Sequence, residues 1–340
     1  MQIAILGISH KSADLTLREK LAKVCHRQFG SNKSIHPSYA YVLLSTCNRI
    51  EIYFSSIDLA KTHTHLLEML RGEMQEEFEP HIYSYFGNNC FSHLARVTAG
   101  FDSVLMGETE IQGQVKQAYE EAISVRFLSR ELHFLFQKCL KIGKNIRSRG
   151  AIFQKLPKLE GTILQAGQIL LGHLEKKTIL FVGFSEINRK IFFAFKSKGI
   201  LNMTFCSRSY EKEDQMAQKE NIQFLPWNAF HKWSTFDFII FATKYPDFLV
   251  LESSKVRKKT LIIDLSVPRN VHPQLGKNKQ ITLLNIDQLG RLMDRRKGSK
   301  DPKMGQIEMQ LIAETVEQQV SLFKLKELQR LQTVFSTRSA

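Results

Sequence analysis

The stretch Thr46-Cys47-Asn48-Arg49 stands between two apolar runs, YAYVLL before it and IEIYF after it. Turn residues are expected between two strands, and a thiol followed by an amide and a guanidinium is not a usual turn. A lone cysteine is most often a small core residue, and Cys25, Cys90, Cys139 and Cys206, all within apolar patterns, take that reading. Cys47 differs because it falls at a hairpin tip. Arg49 is two residues away, and a nearby cation favours the thiolate. A thiolate attacks activated esters, and the resulting thioester is reducible by hydride.

A second candidate site begins at Gly183 in TILFVGFSEIN. A glycine after a buried strand and before a helix is where a dinucleotide pyrophosphate sits, against free N–H groups. Of the GxGxxG pattern only Gly183 is present. Ser185 holds the second place and Asn188 the third, with Phe184, Glu186 and Ile187 between and around them. By motif alone, a strand-to-helix turn without a ligand is an equal reading. The next strand ends FCSRSYEK, where an NAD site would carry Asp or Glu; Ser207, Arg208 and Ser209 suit a 2′-phosphate instead, hence NADPH. Arg208 as a plain surface residue is the alternative. A reactive cysteine joined to an NADPH domain implies reduction of an acyl group to an aldehyde.

The elements that must position these residues follow from periodicity. Strands are expected at Ile3–Ile8, Tyr39–Ser45, Ile50–Ser55 and Ile82–Phe86, and helices at Leu17–Phe29 and Leu59–Leu70. This is an α+β domain with an antiparallel-rich sheet. Phe91–Glu175 reads as several helices. From Thr178 to Asp287, buried strands (TILFVG, NMTFC, FDFIIFAT, TLIIDLS, ITLLNI) alternate with helices, which argues for a parallel, doubly wound sheet. One long helix runs from Met304 to about Phe335, with Met309, Ile312, Val316, Val320 and Phe323 on one face. The fold class is multidomain α/β: an α+β catalytic domain over 1–155, a Rossmann-type NADPH domain over 156–290, and the long helix over 304–340.

Five scattered cysteines without a CxxC pair argue against a disulfide framework or structural zinc, and no metal site is expected. No apolar run reaches the roughly 18 residues of a membrane span, and MQIAILGISHKS reads as a first strand rather than a signal peptide, so a cytoplasmic protein is expected. The formal net charge is +15, which makes a polyanion partner plausible beside the alternative of a solvated basic surface. Lys138, Lys141, Lys144, Arg147, Arg149, Lys155 and Lys158 fall in one stretch without an acidic residue, although no RNP1 fingerprint accompanies them.

Ser45-Thr46-Cys47-Asn48-Arg49 followed by Glu51-Ile52-Tyr53 resembles the signature of the glutamyl-tRNA reductase family, which serves the entry step of five-carbon tetrapyrrole (porphyrin and heme) synthesis. Gly7-Ile8-Ser9-His10-Lys11, Leu17-Arg18-Glu19-Lys20, the block GFDSVLMGETEIQGQVKQAY (100–119) and DLSVPR (264–269) resemble further family blocks in family order. The resemblance implies that Cys47 attacks the ester between glutamate and the tRNA(Glu) 3′ end, and that NADPH reduces the thioester to glutamate-1-semialdehyde. It implies that Thr46, Asn48 and Arg49 hold the glutamyl group, with Arg49 on its carboxylate. Ser103, Glu108, Thr109, Glu110 and Gln114 match substrate positions, and His93 a position important for activity. A solvated helix start and a satisfied helical histidine are the plain alternatives for the last two groups. Glutamate-1-semialdehyde aminotransferase is an expected partner. A homodimer through a shortened C-terminal helix is also expected, because family members usually continue into a helical dimerisation domain. The rival readings are a non-catalytic tRNA- or protein-binding paralogue, which FSEIN favours and TCNR opposes, and a dehydrogenase of a small free metabolite.

Overall fold

The computed structural model describes residues 1–30, 37–103, 110–148, 158–208, 220, 222–252, 256–296 and 302–338. The chain divides into two units, Met1–Leu156 with Ser299–Ala340, and Pro157–Gly298.

The first unit is built on β1 (Ala4–Ser9), β2 (Tyr39–Ser45), β3 (Arg49–Ser56) and β4 (Tyr83–Phe86). Their order across the sheet is β2-β3-β1-β4, with every neighbouring pair antiparallel. Helix α1 (Leu15–Phe29) starts two residues before the periodicity predicts, because the Asp14 carboxylate accepts the Leu17 N–H at 2.8 Å and caps it. Asp58 does the same for α2 (Leu59–Arg71) through the Lys61 N–H at 3.0 Å. Ile50, Ile52 and Phe54 of β3 pack with Leu6 and Ile8 of β1 against Leu21, Val24, Leu66 and Leu70 of these two helices.

The opposite face of the sheet is covered too. Helices α3 (Gly87–Ala99), α4 (Glu110–Val125) and α5 (Arg130–Ser148) bury Phe91, Leu94, Val115, Leu135 and Phe136 against Ile5, Val42 and Tyr53. Apart from Leu159–Leu171, which lies in the second unit, the helical stretch expected over Phe91–Glu175 thus supplies the second layer of one α/β/α unit. This is why β3 is buried on both faces over seven of its eight residues.

The second unit carries β5 (Ile179–Val182), β6 (Met203–Cys206), β7 (Gln223–Leu225), β8 (Phe238–Phe241), β9 (Thr260–Asp264) and β10 (Ile281–Asn285). The sheet order is β10-β9-β8-β5-β6-β7 and every pair is parallel. Counted within the unit this is the 3-2-1-4-5-6 arrangement of a doubly wound dinucleotide fold, with its switch point between β5 and β8. Helices α6 (Leu159–Leu171), α7 (Glu186–Lys196) and α8 (Ile286–Arg296) bury Ile163, Ile191, Phe195 and Leu289 on one face. Trp233, Val250, Val271 and Leu275 cover the other. The helix expected from Glu211 lies outside the described residues.

The long helix α9 spans Pro302–Arg338. The face expected to pair with a second copy is used within the chain: Ile312, Val316 and Val320 join the first unit's core, and Phe323 packs against Phe134 with ring centroids 4.8 Å apart. No helix among the described residues is long and apolar enough to cross a membrane.

Candidate active site

Strand β2 ends at Ser45 and β3 begins at Arg49, so Thr46, Cys47 and Asn48 form the hairpin tip. The Thr46 hydroxyl oxygen accepts the backbone N–H groups of Asn48 (3.1 Å) and Arg49 (3.2 Å), and the Thr46 N–H donates to the Arg49 carbonyl (2.9 Å). The His10 N–H donates to the Asn48 carbonyl at 2.9 Å, tying the tip to the end of β1. Beneath it lies Arg18 of α1, fully buried, whose guanidinium donates to the carbonyls of Ala13 (2.9 Å) and Cys47 (3.3 Å). The turn that carries Cys47 is therefore held from three directions, while Cys47 itself is partly exposed. The other four cysteines are buried; burial pushes the Cys206 thiol up to about 11 and raises those of Cys25, Cys90 and Cys139 well above the ordinary thiol value, so none of them is poised as a nucleophile.

Past the tip the period of two takes over. Arg49, Glu51 and Tyr53 point to the same face of β3. The Arg49 guanidinium, about 1% exposed, donates from Nη1 to Glu51 Oε1 at 2.9 Å and from Nη2 to the Asp102 carbonyl at 2.6 Å. Glu51 has no exposed side-chain surface and accepts three further bonds, from the Tyr53 hydroxyl (2.7 Å), the Tyr83 hydroxyl (2.6 Å) and His93 Nε2 (2.7 Å). Burial would raise its carboxyl, but Arg49 first, and His93 and Tyr83 with it, hold it well below the usual carboxylate range. Burial pushes Tyr53 and Tyr83 far above the phenol range, and the neighbouring Glu51 charge adds to it, so both are donors. Asp102, in the turn after α3, binds Lys11 and, at 2.8 Å, Arg96. Desolvation opposes its ionisation, and the cations Arg96 and Lys11 outweigh it to lower its carboxyl.

Thus Thr46, Cys47, Asn48, Arg49 and His93, singled out in the sequence, lie around one turn and the strand leaving it. Arg49 differs from its simplest reading. Its charge is compensated by Glu51 rather than left open beside the thiol, because the first residue of β3 points into the sheet face and not toward the tip. Ser103 is 5% exposed, with a buried hydroxyl lacking a hydrogen-bond partner, and the Asn48 side-chain carbonyl is buried and equally unpartnered. Glu110 opens α4 and Gln114 lies partly exposed one turn on. Glu108 and Thr109 lie outside the described residues. Glu51, Tyr83 and Asp102 were not assigned roles from sequence; the signal available was a charged Arg-x-Glu pair on one face of an otherwise apolar strand.

The second candidate site is at the C-terminal end of β5. Gly183 has φ +90°, and a Cβ there would stand 2.5 Å from the Ala242 carbonyl oxygen at the end of β8. Only glycine fits. Ser185 is the N-cap of α7, its hydroxyl accepting the Asn188 N–H at 3.2 Å. Asn188 replaces the third glycine with a fully buried amide that donates to the carbonyls of Val182 (3.0 Å) and Gly183 (2.8 Å). The amide ties the helix start to the strand end instead of merely spacing them apart. Phe184, Ser185 and Ile187 are partly exposed and Glu186 exposed, paired with Lys190 at 2.7 Å. Just after β6, Ser207 is 9% exposed, and the exposed Arg208 lies 4.9 Å from the Tyr245 ring centroid and 5.9 Å from that of Trp227. Ser209 is outside the described residues. A glycine cradle at the switch point, the capped N-terminus of an 11-residue helix and an exposed guanidinium fit a dinucleotide with a 2′-phosphate.

Residues 6–150 match the family model described as "Glutamyl-tRNAGlu reductase, N-terminal domain", and residues 165–292 match "Shikimate / quinate 5-dehydrogenase". The glutamyl-tRNA reductase of Akkermansia muciniphila is 29% identical over 321 residues, covering 91% of this chain and 94% of that protein. That of Chlamydia abortus is 39% identical over 213 residues, 61% of each chain. Among solved structures, glutamyl-tRNA reductase from Methanopyrus kandleri aligns over 96% of this chain and 82% of that one, at 24% identity and a TM-score of 0.48. The hairpin-tip cysteine and its buried supports lie inside the segment that matches the N-terminal domain model, the two matched models follow one another in the order of the two units, and the relatives are named alike: along most of its length the chain is similar to the glutamyl-tRNA reductases.

Proposed function

We propose that this chain reduces glutamyl-tRNA(Glu) to glutamate-1-semialdehyde with NADPH and releases the tRNA, the first step of five-carbon tetrapyrrole synthesis. The observation that carries the reading is Cys47, partly exposed at a turn held by Thr46, His10 and Arg18 while every other cysteine is buried. In the reaction the Cys47 thiolate attacks the ester carbonyl carbon. The bond to the 3′-terminal ribose oxygen breaks, that oxygen takes a proton, and a thioester remains on Cys47. NADPH, when bound, supplies the hydride that reduces the thioester. The carbon–sulfur bond then breaks, the aldehyde leaves and the thiolate is restored. Thr46, Asn48 and Arg49 hold the glutamyl group, with Ser103, Glu108, Thr109, Glu110 and Gln114 completing its surroundings. His93 moves the proton to the departing ribose oxygen.

Residues 1–155 form the catalytic domain, 156–290 the cofactor domain and 304–340 a shortened pairing region, in which Leu322, Leu325 and Leu328, 45–59% exposed, face a second copy. The cofactor contacts are Gly183–Asn188 with Ser207, Arg208 and Ser209. A cytoplasmic setting and handover of the aldehyde to an aminotransferase complete the reading. The test supplies purified protein with charged tRNA and NADPH and measures semialdehyde. Without NADPH, free glutamate is expected instead, as water slowly cleaves the thioester. Absence of both products would leave the non-catalytic reading.

A further inference from the structure

Glu51 joins two residues whose roles are otherwise considered separately. One oxygen, Oε1, takes the Arg49 Nη1 donor at 2.9 Å, the Tyr83 hydroxyl at 2.6 Å and His93 Nε2 at 2.7 Å. The other, Oε2, takes the Tyr53 hydroxyl at 2.7 Å. Every one of these partners approaches as a donor, and an ionised carboxylate only accepts. The His93 contact therefore requires its proton on Nε2, which leaves Nδ1 as the nitrogen that takes up or gives back a proton. The imidazole plane is fixed as well: its ring stacks on Tyr85 with centroids 4.9 Å apart and 29° between planes, and Tyr83 flanks it at 5.4 Å.

On the other side, Glu51 and the Asp102 carbonyl grip one N–H each of Arg49 Nη1 and Nη2. The guanidinium plane is thereby set before any ligand arrives, and its Nε–H, buried without a partner, remains among the donors on offer. Burial disfavours an ionised Glu51, yet Arg49, His93 and Tyr83 together keep the proton off it. The arrangement has the logic of a carboxylate that orients a histidine without itself reacting.

We propose that Glu51 is a positioning residue for the acyl transfer: its carboxylate locks His93 as the Nε2–H tautomer and fixes the plane in which Arg49 meets the glutamyl group. This rests on the reading of Cys47 above for its purpose, but the tautomer can be read without substrate. In protein carrying 15N-labelled histidine, the neutral form of the His93 ring is expected to show its proton on Nε2 and none on Nδ1. In Glu51→Gln that preference is expected to collapse toward a mixture, because a side-chain amide donates as readily as it accepts. With charged tRNA and NADPH the same variant should lose about 10²- to 10⁴-fold in kcat/KM, the range seen when an orienting carboxylate is neutralised. A native Nδ1–H tautomer, an unchanged tautomer in Glu51→Gln, or a kcat/KM within about threefold of native would each overturn the proposal. If Glu51→Gln fails to fold, Tyr83→Phe serves. It removes one donor from the same oxygen and should keep the tautomer with less than about tenfold loss in kcat/KM. Should the native protein form no semialdehyde at all, the function fails while the tautomer measurement still decides the role of Glu51.

Discussion

At the residue scale, Cys47→Ser nearly preserves the size of the tip side chain and leaves in place the bonds from Thr46, His10 and Arg18 that hold the turn. A hydroxyl without an activating base is a far weaker nucleophile. Aldehyde formation is expected to vanish while tRNA affinity stays within about twofold, measured by product assay and filter binding; retained reduction would remove Cys47 from the mechanism. Arg49→Lys keeps the charge and loses the planar fork. A lysine ammonium cannot serve both Glu51 and the Asp102 carbonyl in their observed geometry. The variant is expected to lose about 3 kcal/mol of stability, in line with breaking one partner of a buried ion pair, and most of its kcat/KM for glutamyl-tRNA, with NADPH affinity unchanged. Denaturant titration beside steady-state kinetics separates the two effects. A variant as active on the glutamyl ester as the native protein would give the carboxylate role to another residue.

At the element scale, the strand-to-helix turn at β5 and α7 and the end of β9 each carry a constraint that a single substitution tests. Gly183→Ala forces a Cβ to within 2.5 Å of the Ala242 carbonyl oxygen at a φ of +90°. It is expected to cost more than about 2 kcal/mol and to abolish dinucleotide binding, as followed by calorimetry with NADPH. Arg208→Ala leaves the turn untouched. It should weaken NADPH by about tenfold or more and NADH hardly at all, because only the former carries the 2′-phosphate; equal native affinity for both cofactors would contradict the assignment. At the end of β9, Asp264 accepts the N–H groups of Ser266 (3.0 Å), Asn270 (2.8 Å) and Val271 (2.9 Å). Burial nonetheless pushes its carboxyl from an ordinary 3.8 up to about 7, the three N–H donors only partly opposing it. The folded state then holds this proton more tightly than the unfolded chain does. Its contribution to stability is greatest below about 4 and declines as pH rises toward about 7. The stability difference between native protein and Asp264→Asn should therefore change across that window and level off above it, as thermal melts at a series of pH values would show.

At the scale of the whole molecule, charge rather than packing is the quantity at issue. The net charge of +15 is large enough to steer a polyanion. On α5, Lys141 and Lys144 are exposed and Lys138 lies against the Phe134 ring at 5.3 Å, while Leu135, Phe136, Cys139 and Ile142 face the core. If the three lysines touch tRNA phosphates, replacing them with glutamine should lower the slope of log K against log salt by up to about one unit per contact. An unchanged slope would make them a solvated helix face. Arg149 and Lys155 lie outside the described residues.

The alternation of apolar residues sufficed to find the hairpin, since Tyr39–Ser45 is predicted as it is observed and β3 differs by one residue at each end. The period and the length of the buried runs equally foretold a parallel second sheet, and the placing of Cys47 between two strands marked it out from four core cysteines. These are local properties, carried by neighbours in the chain. The sheet order, by contrast, depends on strands far apart in sequence, as when Ile5 pairs with Tyr53 on one side and Tyr85 on the other. So does the fate of the apolar stripe on α9. Its Ile312, Val316 and Val320 read as a pairing face and are buried by α3 and α5, because an amphipathic helix states that it needs a partner and not which one. The clearest case is Glu51. Composition offers a carboxylate two residues from an arginine. Only the fold brings Tyr83 and His93 to it, across 32 and 42 residues of chain, and turns a costly buried charge into the point from which the site is oriented.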